Sequence, residues 1–404
     1  MSEQTCFAMS PAPAGPAITP YQALIATNER NNPARRDLRF MARMLRGGEA
    51  KRAICIRFES GTWHAEKHAG TLGAIVLFLS RGFRNKPMLH IKDMVLRAGD
   101  PPLNHTFDDA AISVVLGANR SGKTLLCRVL AGLAAPVSGS VSIDGSFVET
   151  GAPQPVALVM QSFVNYPAWT VADNIASPLT ARGVPRSERR RRAAEIASRL
   201  GLEGLLDRYP HELSGGQQQR VAIGRALAKG ARVLLLDEPL VNLDYKLREA
   251  LRDELRALLI AEGLCVIYTT TDPVDAFVMA HQVVLIEDHG FVQTGTPLDV
   301  YQYPKSFTAA ALMSEPTVNV LSEGHAVAAV RPEHVRLTEP SADSARKLSL
   351  QVEEVETNGA HTFIHGLVGR DSWIIKANGM VHAEIDQPLA IWVREADVLR
   401  FEAH

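Results

Sequence analysis

Five short apolar runs punctuate the middle of the chain: Ile112–Leu116, Ala157–Met160, Val233–Leu236, Cys265–Tyr268 and Val283–Ile286. They are too short for helices and carry no alternating polar positions, the pattern of strands buried on both faces of a parallel sheet. Helical stretches separate them, so residues 88–316 predict an α/β domain. Between the second and third runs, over about residues 162–215, a helical insert is expected. Pro185-Arg186-Ser187-Glu188 opens one of its helices, and Ala193, Ile196, Ala197 and Leu200 form an apolar stripe at helical spacing. The Arg189–Arg192 run falls partly on the opposite face and reads as a solvated surface. Beyond about Thr317 the texture changes to short alternating runs: Ala326–Val330, Leu348–Val355, Thr362–Leu367, Ile374–Lys376 and Leu389–Val393. Residues 317–404 therefore predict a small all-β domain, a partly open barrel.

Residues 1–87 are different in kind. They carry 13 Lys+Arg against 6 Asp+Glu, whereas the remainder carries 30 against 38. A Pro/Ala-rich opening leads into Arg-rich stretches without a sustained period. The segment is expected to be poorly structured, or to arise from a start codon placed upstream of Met88, where an alternating strand-like run begins. A basic amphipathic anchor is a further alternative. The most apolar stretch, Leu72–Leu79, falls far short of the roughly 20 residues a membrane-spanning helix needs. Work at a membrane would then be peripheral. A formal net charge of −1 argues against bulk electrostatic binding to nucleic acid. The four cysteines show no metal-ligand or disulfide spacing, and Cys127 and Cys265 sit in apolar runs as small core residues.

Three motifs carry chemistry. Gly117-Ala118-Asn119-Arg120-Ser121-Gly122-Lys123-Thr124 fits GxxxxGK[ST] between a strand-like run and a helical one. Glycines let backbone N–H groups curl around phosphates, Lys123 reaches the β- and γ-phosphates of ATP, and Thr124 ligates Mg²⁺. Val233–Leu236 then ends in Asp237-Glu238-Pro239. A strand delivers these acids at its C-terminal edge, Asp237 for Mg²⁺ and Glu238 as general base toward water. The third motif, Leu213-Ser214-Gly215-Gly216-Gln217, precedes a helical run and offers a hydroxyl and backbone amides to a phosphate.

The order of these motifs resembles that of the ABC-type ATPases, whose signature is LSGGQ. The resemblance covers about residues 88–404 and implies a P-loop NTPase core, a helical insert and an OB-like accessory domain. It implies that the signature caps ATP bound by a facing subunit, so that two ATPase chains, identical or different, pair head to tail. Gln161 resembles the glutamine that contacts Mg²⁺ and senses the membrane partner, and Asn242-Leu243-Asp244 resembles the loop that crosses the dimer interface. The β-rich tail with Val330-Arg331-Pro332-Glu333-His334 resembles the accessory domain of importer ATPases. Phe163–Pro167, Asn174–Pro178 and Glu238–Arg248 are similar to importers of glycerol and related polyols or sugars; polyamine and iron importers remain the alternative. The implied partners are two integral-membrane permeases and, indirectly, a substrate-binding protein, with no nucleic acid. The implied location is the cytoplasmic face of the inner membrane.

The chain departs from the family at a few positions. Thr271 stands where a histidine contacts the γ-phosphate; a hydroxyl donates one hydrogen bond but carries no imidazolium charge. Losing such a donor commonly costs about 10²–10³-fold in rate. Arg120 replaces a small or Gly residue. Leu96–Phe107 lacks an obvious aromatic for adenine, with His105 and Phe107 as substitutes. The expectation is that own-site turnover is weakened while the signature serves a partner ATPase, or that the chain is a nucleotide-binding regulatory subunit.

Overall fold

The computed structural model describes residues 55–59, 62–66, 87–161, 164–241, 245–323, 326–340 and 344–402. The chain divides into two units, Met1–Arg84 and Asn85–His404. In the first, β1 (Cys55–Glu59) and β2 (Thr62–Glu66) pair as an antiparallel hairpin. The other expectations for residues 1–86 lie outside the described residues.

The second unit opens with β3 (Pro87–Val95), β4 (Leu103–Asp108), β5 (Ile112–Leu116), α1 (Lys123–Leu130), β6 (Ser138–Ile143), β7 (Ser146–Phe147) and β8 (Val156–Val159). The helical insert supplies α2 (Val171–Ala181), α3 (Arg186–Arg199) and α4 (Gly215–Ala228). There follow β9 (Val233–Asp237), α5 (Tyr245–Glu262), β10 (Cys265–Thr270), α6 (Pro273–Met279), β11 (Gln282–Glu287), β12 (Gly290–Gly295), α7 (Pro297–Gln302) and α8 (Phe307–Leu312). One sheet has the order β12-β11-β5-β10-β9-β8, parallel except for β12. The other, β4-β3-β6-β7, is antiparallel.

The five apolar runs are the five parallel strands, and the period of two explains why they lack polar positions. Leu234, Leu236, Val266, Tyr268, Val283 and Leu285 face the helices α2–α8 in one core. Their neighbours Val233, Leu235, Cys265, Ile267, Val284 and Ile286 face a second core shared with α1 and the antiparallel sheet. Both faces are covered, so both sets of positions are apolar. Helix starts are fixed locally: Thr170, Ser214, Asp272, Thr296 and Ser306 each accept a bond from a first-turn N–H. On α3 the expected stripe Ala193, Ile196, Ala197 and Leu200 is buried, while Glu188 ties back Arg191 and Arg192.

The tail contains β13 (Asn319–Glu323), β14 (Ala326–Val330), β15 (Ala345–Thr357), β16 (His361–Val368), β17 (Asp371–Asn378), β18 (Pro388–Arg394) and β19 (Val398–Phe401). They form two antiparallel sheets, β13-β14-β19 and β17-β16-β15-β18, closed over a core centred on the fully buried Trp373. Trp373 donates its indole N–H to Val320 O at 2.9 Å, and Asn319 exchanges bonds with the Ile374 backbone, so side chains stitch one sheet to the other. Arg331 of the Val330–His334 motif joins this domain to the ATPase core. Its guanidinium is buried, stacks 3.7 Å over the Tyr301 ring, and donates to Tyr301 O at 2.6 Å, to Ala310 O at 3.4 Å and to Ser314 Oγ. Ala310 and Val318 pack against Ala329 beside it.

Replacing Arg331 by Met keeps the stem but removes the cation over the Tyr301 ring and the donor to Tyr301 O, while Ser314 still donates to Ala310 O, a loss of about 2–4 kcal/mol. Scanning calorimetry should show the thermal midpoint of Arg331→Met falling by several degrees. An unchanged midpoint would mean that the motif does not hold the two parts together.

Candidate nucleotide site

The C-terminal edge of the parallel sheet collects the polar residues that the two apolar cores exclude. From β5 the chain enters the loop Gly117–Gly122. A Cβ on Gly117 would lie 2.3 Å from Ile286 O, and Gly122 sits at φ 104 as the residue before α1, so no other side chain fits either position. Arg120 adopts φ 67 and is exposed. That left-handed backbone is the physical reason for a small residue there, and an Arg in it costs about 1–2 kcal/mol. Unlike the capped helices, α1 opens on Gly122 with no side-chain cap, so its first-turn N–H groups face the loop's interior as an anion cradle.

Lys123 is only 3% exposed and points back into that cradle. Its Nζ donates to Gly117 O and Ala118 O, each at 2.8 Å, and lies 3.2 Å from Glu238 Oε1. Asp237 ends β9, and Glu238 follows at φ 46, another left-handed non-glycine residue of the kind functional sites hold under strain. Thr269, which sequence reasoning did not single out, fixes both acids. It pairs in register with Asp237, donates to its Oδ1 at 2.8 Å, and accepts from the Glu238 N–H at 3.1 Å. Its only sequence signal was a hydroxyl at the end of an apolar strand.

Thr271 lies in the exposed turn between β10 and α6. The residues around it are tied down: Thr270 donates to Asp275 Oδ2 at 2.7 Å, and Asp272 caps α6 through Val274 N–H. Arg252 of α5 reaches Asp275 at 2.6 Å and Asp272 at 3.0 Å, and the Tyr268 hydroxyl donates to Asp275 at 3.1 Å. Burial pushes the Asp275 carboxyl above its ordinary range, and the Thr270 hydroxyl and Arg252 pull it back. Glu238 and Thr271 line one narrow crevice of about 10 Å³, with Tyr268, Thr270, Asp272 and Asp275. Glu238, expected as a base, and Thr271, expected in a histidine's place, thus line the same space.

The other expected residues are placed apart. Val159 pairs with Leu236, so Gln161 leaves β8 at the same sheet edge as Asp237 and is exposed there. Thr124 is exposed at the start of α1. Leu213 is buried, whereas Ser214 caps α4 in a reciprocal box with Gln217: Gln217 N–H donates to Ser214 Oγ at 3.3 Å and Ser214 N–H to Gln217 Oε1 at 3.0 Å. A Cβ on Gly216 would meet the Leu251 methyls at 2.8 Å, so the glycine lets α4 approach α5. None of these signature residues lines the Glu238 crevice. Asn242, Leu243 and Asp244 lie outside the described residues, as does Phe163. Of the adenine substitutes, Phe107 is wholly buried and out of reach, and His105 is half-buried, bonded to Gln282 at 3.1 Å and packed edge-on against Phe107. The alternation of β4 turned Phe107 into the core instead of toward a ligand.

Residues 102–241 match the ABC transporter family model, and residues 328–401 match the TOBE domain. The sn-glycerol-3-phosphate import ATP-binding protein UgpC of Chromohalobacter salexigens is 36% identical over 323 residues, covering 73% of this chain and 87% of that protein. The protein of the same name from Bordetella pertussis is 35% identical, covering 70% and 86%. The chain belongs to the ABC transporter ATP-binding proteins. The solved structure of cbiO1 from Clostridium perfringens, part of the ABC transporter complex cbiONQ, is a looser likeness, with 24% identity and a TM-score of 0.49 over 54% of this chain and 91% of that one. The strand edge of this ABC ATPase brings Lys123, Asp237, Glu238 and Thr269 within one set of contacts.

Arg252→Leu would strand Asp275 in the core and should cost about 3–5 kcal/mol in chemical unfolding, with Asp275→Asn in the same chain recovering part of it. The sign of the pH effect follows from the raised carboxyl. The folded chain holds that proton more tightly, so its contribution is full below the ordinary value of 3.8 and is lost as pH rises through the folded value. Asp275→Asn should flatten that fall, and an unaltered stability–pH curve would count against it.

Proposed function

We propose that this ABC ATPase energises an importer for a carbohydrate or polyol, with a glycerol-phosphate type of solute the first to test. The names of the relatives, which are sn-glycerol-3-phosphate import proteins, support the solute class. The ATPase chemistry rests on the Lys123–Glu238 contact at 3.2 Å. Lys123 is held by two loop carbonyls and by the base itself. Exchanging these partners for the β- and γ-phosphate oxygens of ATP releases Glu238 to polarise the attacking water. Ser121 Oγ is buried without a hydrogen-bond partner within the same loop, a polar atom that fits an oxygen-rich ligand. Thr124, Gln161 and Asp237 offer hydroxyl, amide and carboxylate oxygens at this edge, a donor set that suits Mg²⁺. The ion would supply charge neutralisation on the phosphates.

Leu213–Gln217 would act on the nucleotide of a facing ATPase, with Asn242–Asp244 at the contact between the two chains. That partner is a second copy or a different ATPase. Met160, Val164, Tyr166 and Trp169 are exposed apolar side chains on either side of Gln161, a surface suited to a permease. Among the described residues no helix is long and apolar enough to cross a membrane. We therefore place the protein on the cytoplasmic face of the inner membrane, bound through permeases and meeting a substrate-binding protein only indirectly. Thr271 favours slow turnover at this chain's own site, and the retained Glu238 favours some hydrolysis.

Two variants test the proposal through Mg-ATP turnover of the purified full chain. Thr271→His should raise kcat by about 10–100-fold, within the range one well-placed donor supplies. Glu238→Gln in either background should abolish turnover while nucleotide still binds. Fast wild-type turnover that Thr271→His leaves unchanged would sink the weakened-site reading. Binding without turnover in both would favour a regulatory subunit.

A further inference from the structure

The tight turn Asp288-His289-Gly290, which joins β11 to β12, also reaches the phosphate loop. The His289 N–H donates to Ser121 O at 3.0 Å. A Cβ on Gly122 would lie 2.5 Å from His289 Cδ2, so the imidazole occupies the space that the glycine leaves. From the other side, Asp100 Oδ2, on the loop after β3, lies 3.4 Å from His289 Nδ1. The ring is nearly enclosed, and its Nε2 is buried without a hydrogen-bond partner. So is the Oγ of Ser121, a residue only 5% exposed, at the loop position that His289 grips.

Asp288 and His289 both take positive φ, 42 and 63, as the two-residue hairpin between β11 and β12 requires. His289 adopts φ 63, a left-handed backbone that Gly or Asn takes at lower cost. An unsatisfied buried polar atom costs a further 1–3 kcal/mol or so. A main-chain clasp on Ser121, a ring on Gly122 and an unpaired nitrogen coincide where this turn meets the phosphate loop. Each is explained if the ring belongs to the site.

We propose that His289 is a nucleotide-positioning residue. Asp100 sets the ring from behind, the ring and its N–H hold the Ser121–Gly122 turn in shape, and Nε2 meets the phosphate-bearing part of a nucleoside diphosphate or triphosphate. This rests on the phosphate loop being an ATP site, as proposed above. The assignment makes affinity, more than turnover, the quantity that His289 controls.

Calorimetric titration of ADP without Mg²⁺ into the full chain separates the possibilities. His289→Asn keeps a residue that tolerates the left-handed turn but removes the ring, and it should weaken ADP binding about tenfold, equivalent to 1.4 kcal/mol. Asp100→Asn should weaken it about threefold. In both, the thermal midpoint without nucleotide should stay at the wild-type value. In ¹⁵N spectra of the imidazoles, one Nε2 signal should move on adding ADP to the wild type and be missing from His289→Asn. Should His289→Asn unfold, His289→Gly, which relieves the backbone, carries the same test. ADP binding equal to wild type, or a lowered midpoint with unchanged affinity, overturns the assignment of His289 alone. A wild-type chain that binds no ADP overturns the ATP site together with it, and Lys123→Ala provides the non-binding reference.

Discussion

A parallel sheet buried on both faces has nowhere to put polar chemistry except the ends of its strands. That constraint arranges the rest of this molecule. The alternating positions of β9, β10 and β11 are divided between two apolar cores. A carboxylate, lysine or hydroxyl in mid-strand would need a buried partner to offset desolvation of several kcal/mol. At the C-terminal edge the same groups find loop backbone and one another. Gly117, Asp237, Glu238, Thr269 and Thr271 come from different strands but end at one edge because parallel strands all point the same way. The register between β9 and β10 then places a threonine beside each acid's anchoring point.

Within that edge, Lys123 and Glu238 are mutually dependent. Lys123 is too buried to be left without acceptors, and Glu238 stands at a strained φ that no glycine relieves. Each satisfies the other, and the two loop carbonyls complete the set. A ligand rich in anionic oxygens can replace these bonds for the lysine, and doing so changes the environment of the carboxylate. One ammonium group thus ties the phosphate loop to the acid that follows β9.

The parts legible in the sequence are those whose physics is local. The phosphate loop, the strand ending in two acids and the Ser-Gly-Gly helix start each need particular residues within a few positions, and the run lengths report the sheet. The α3 stripe and the C-terminal strands followed from periodicity in the same way. What sequence reasoning missed depends on long-range contacts. Thr269 matters because it faces Asp237 across the register, Arg252 because α5 passes over Asp275, and His289 because a distant hairpin lands on Gly122. Phe107 was misjudged for the same reason: composition marked it as aromatic, and only the fold shows that its ring is buried.

The structure also bears on what the threonine at position 271 changes. Its neighbours Thr270 and Asp272 keep a complete set of bonds to Asp275, Arg252 and α6. The turn is therefore held by residues on either side, and the side chain at 271 projects from a frame that does not depend on it. A replacement there alters which donor faces the Glu238 crevice without loosening the β10–α6 junction. The change at 271 is chemical, since the bonds of the turn around it are complete, and it is accompanied by Arg120 in the phosphate loop, while the signature helix keeps its reciprocal cap.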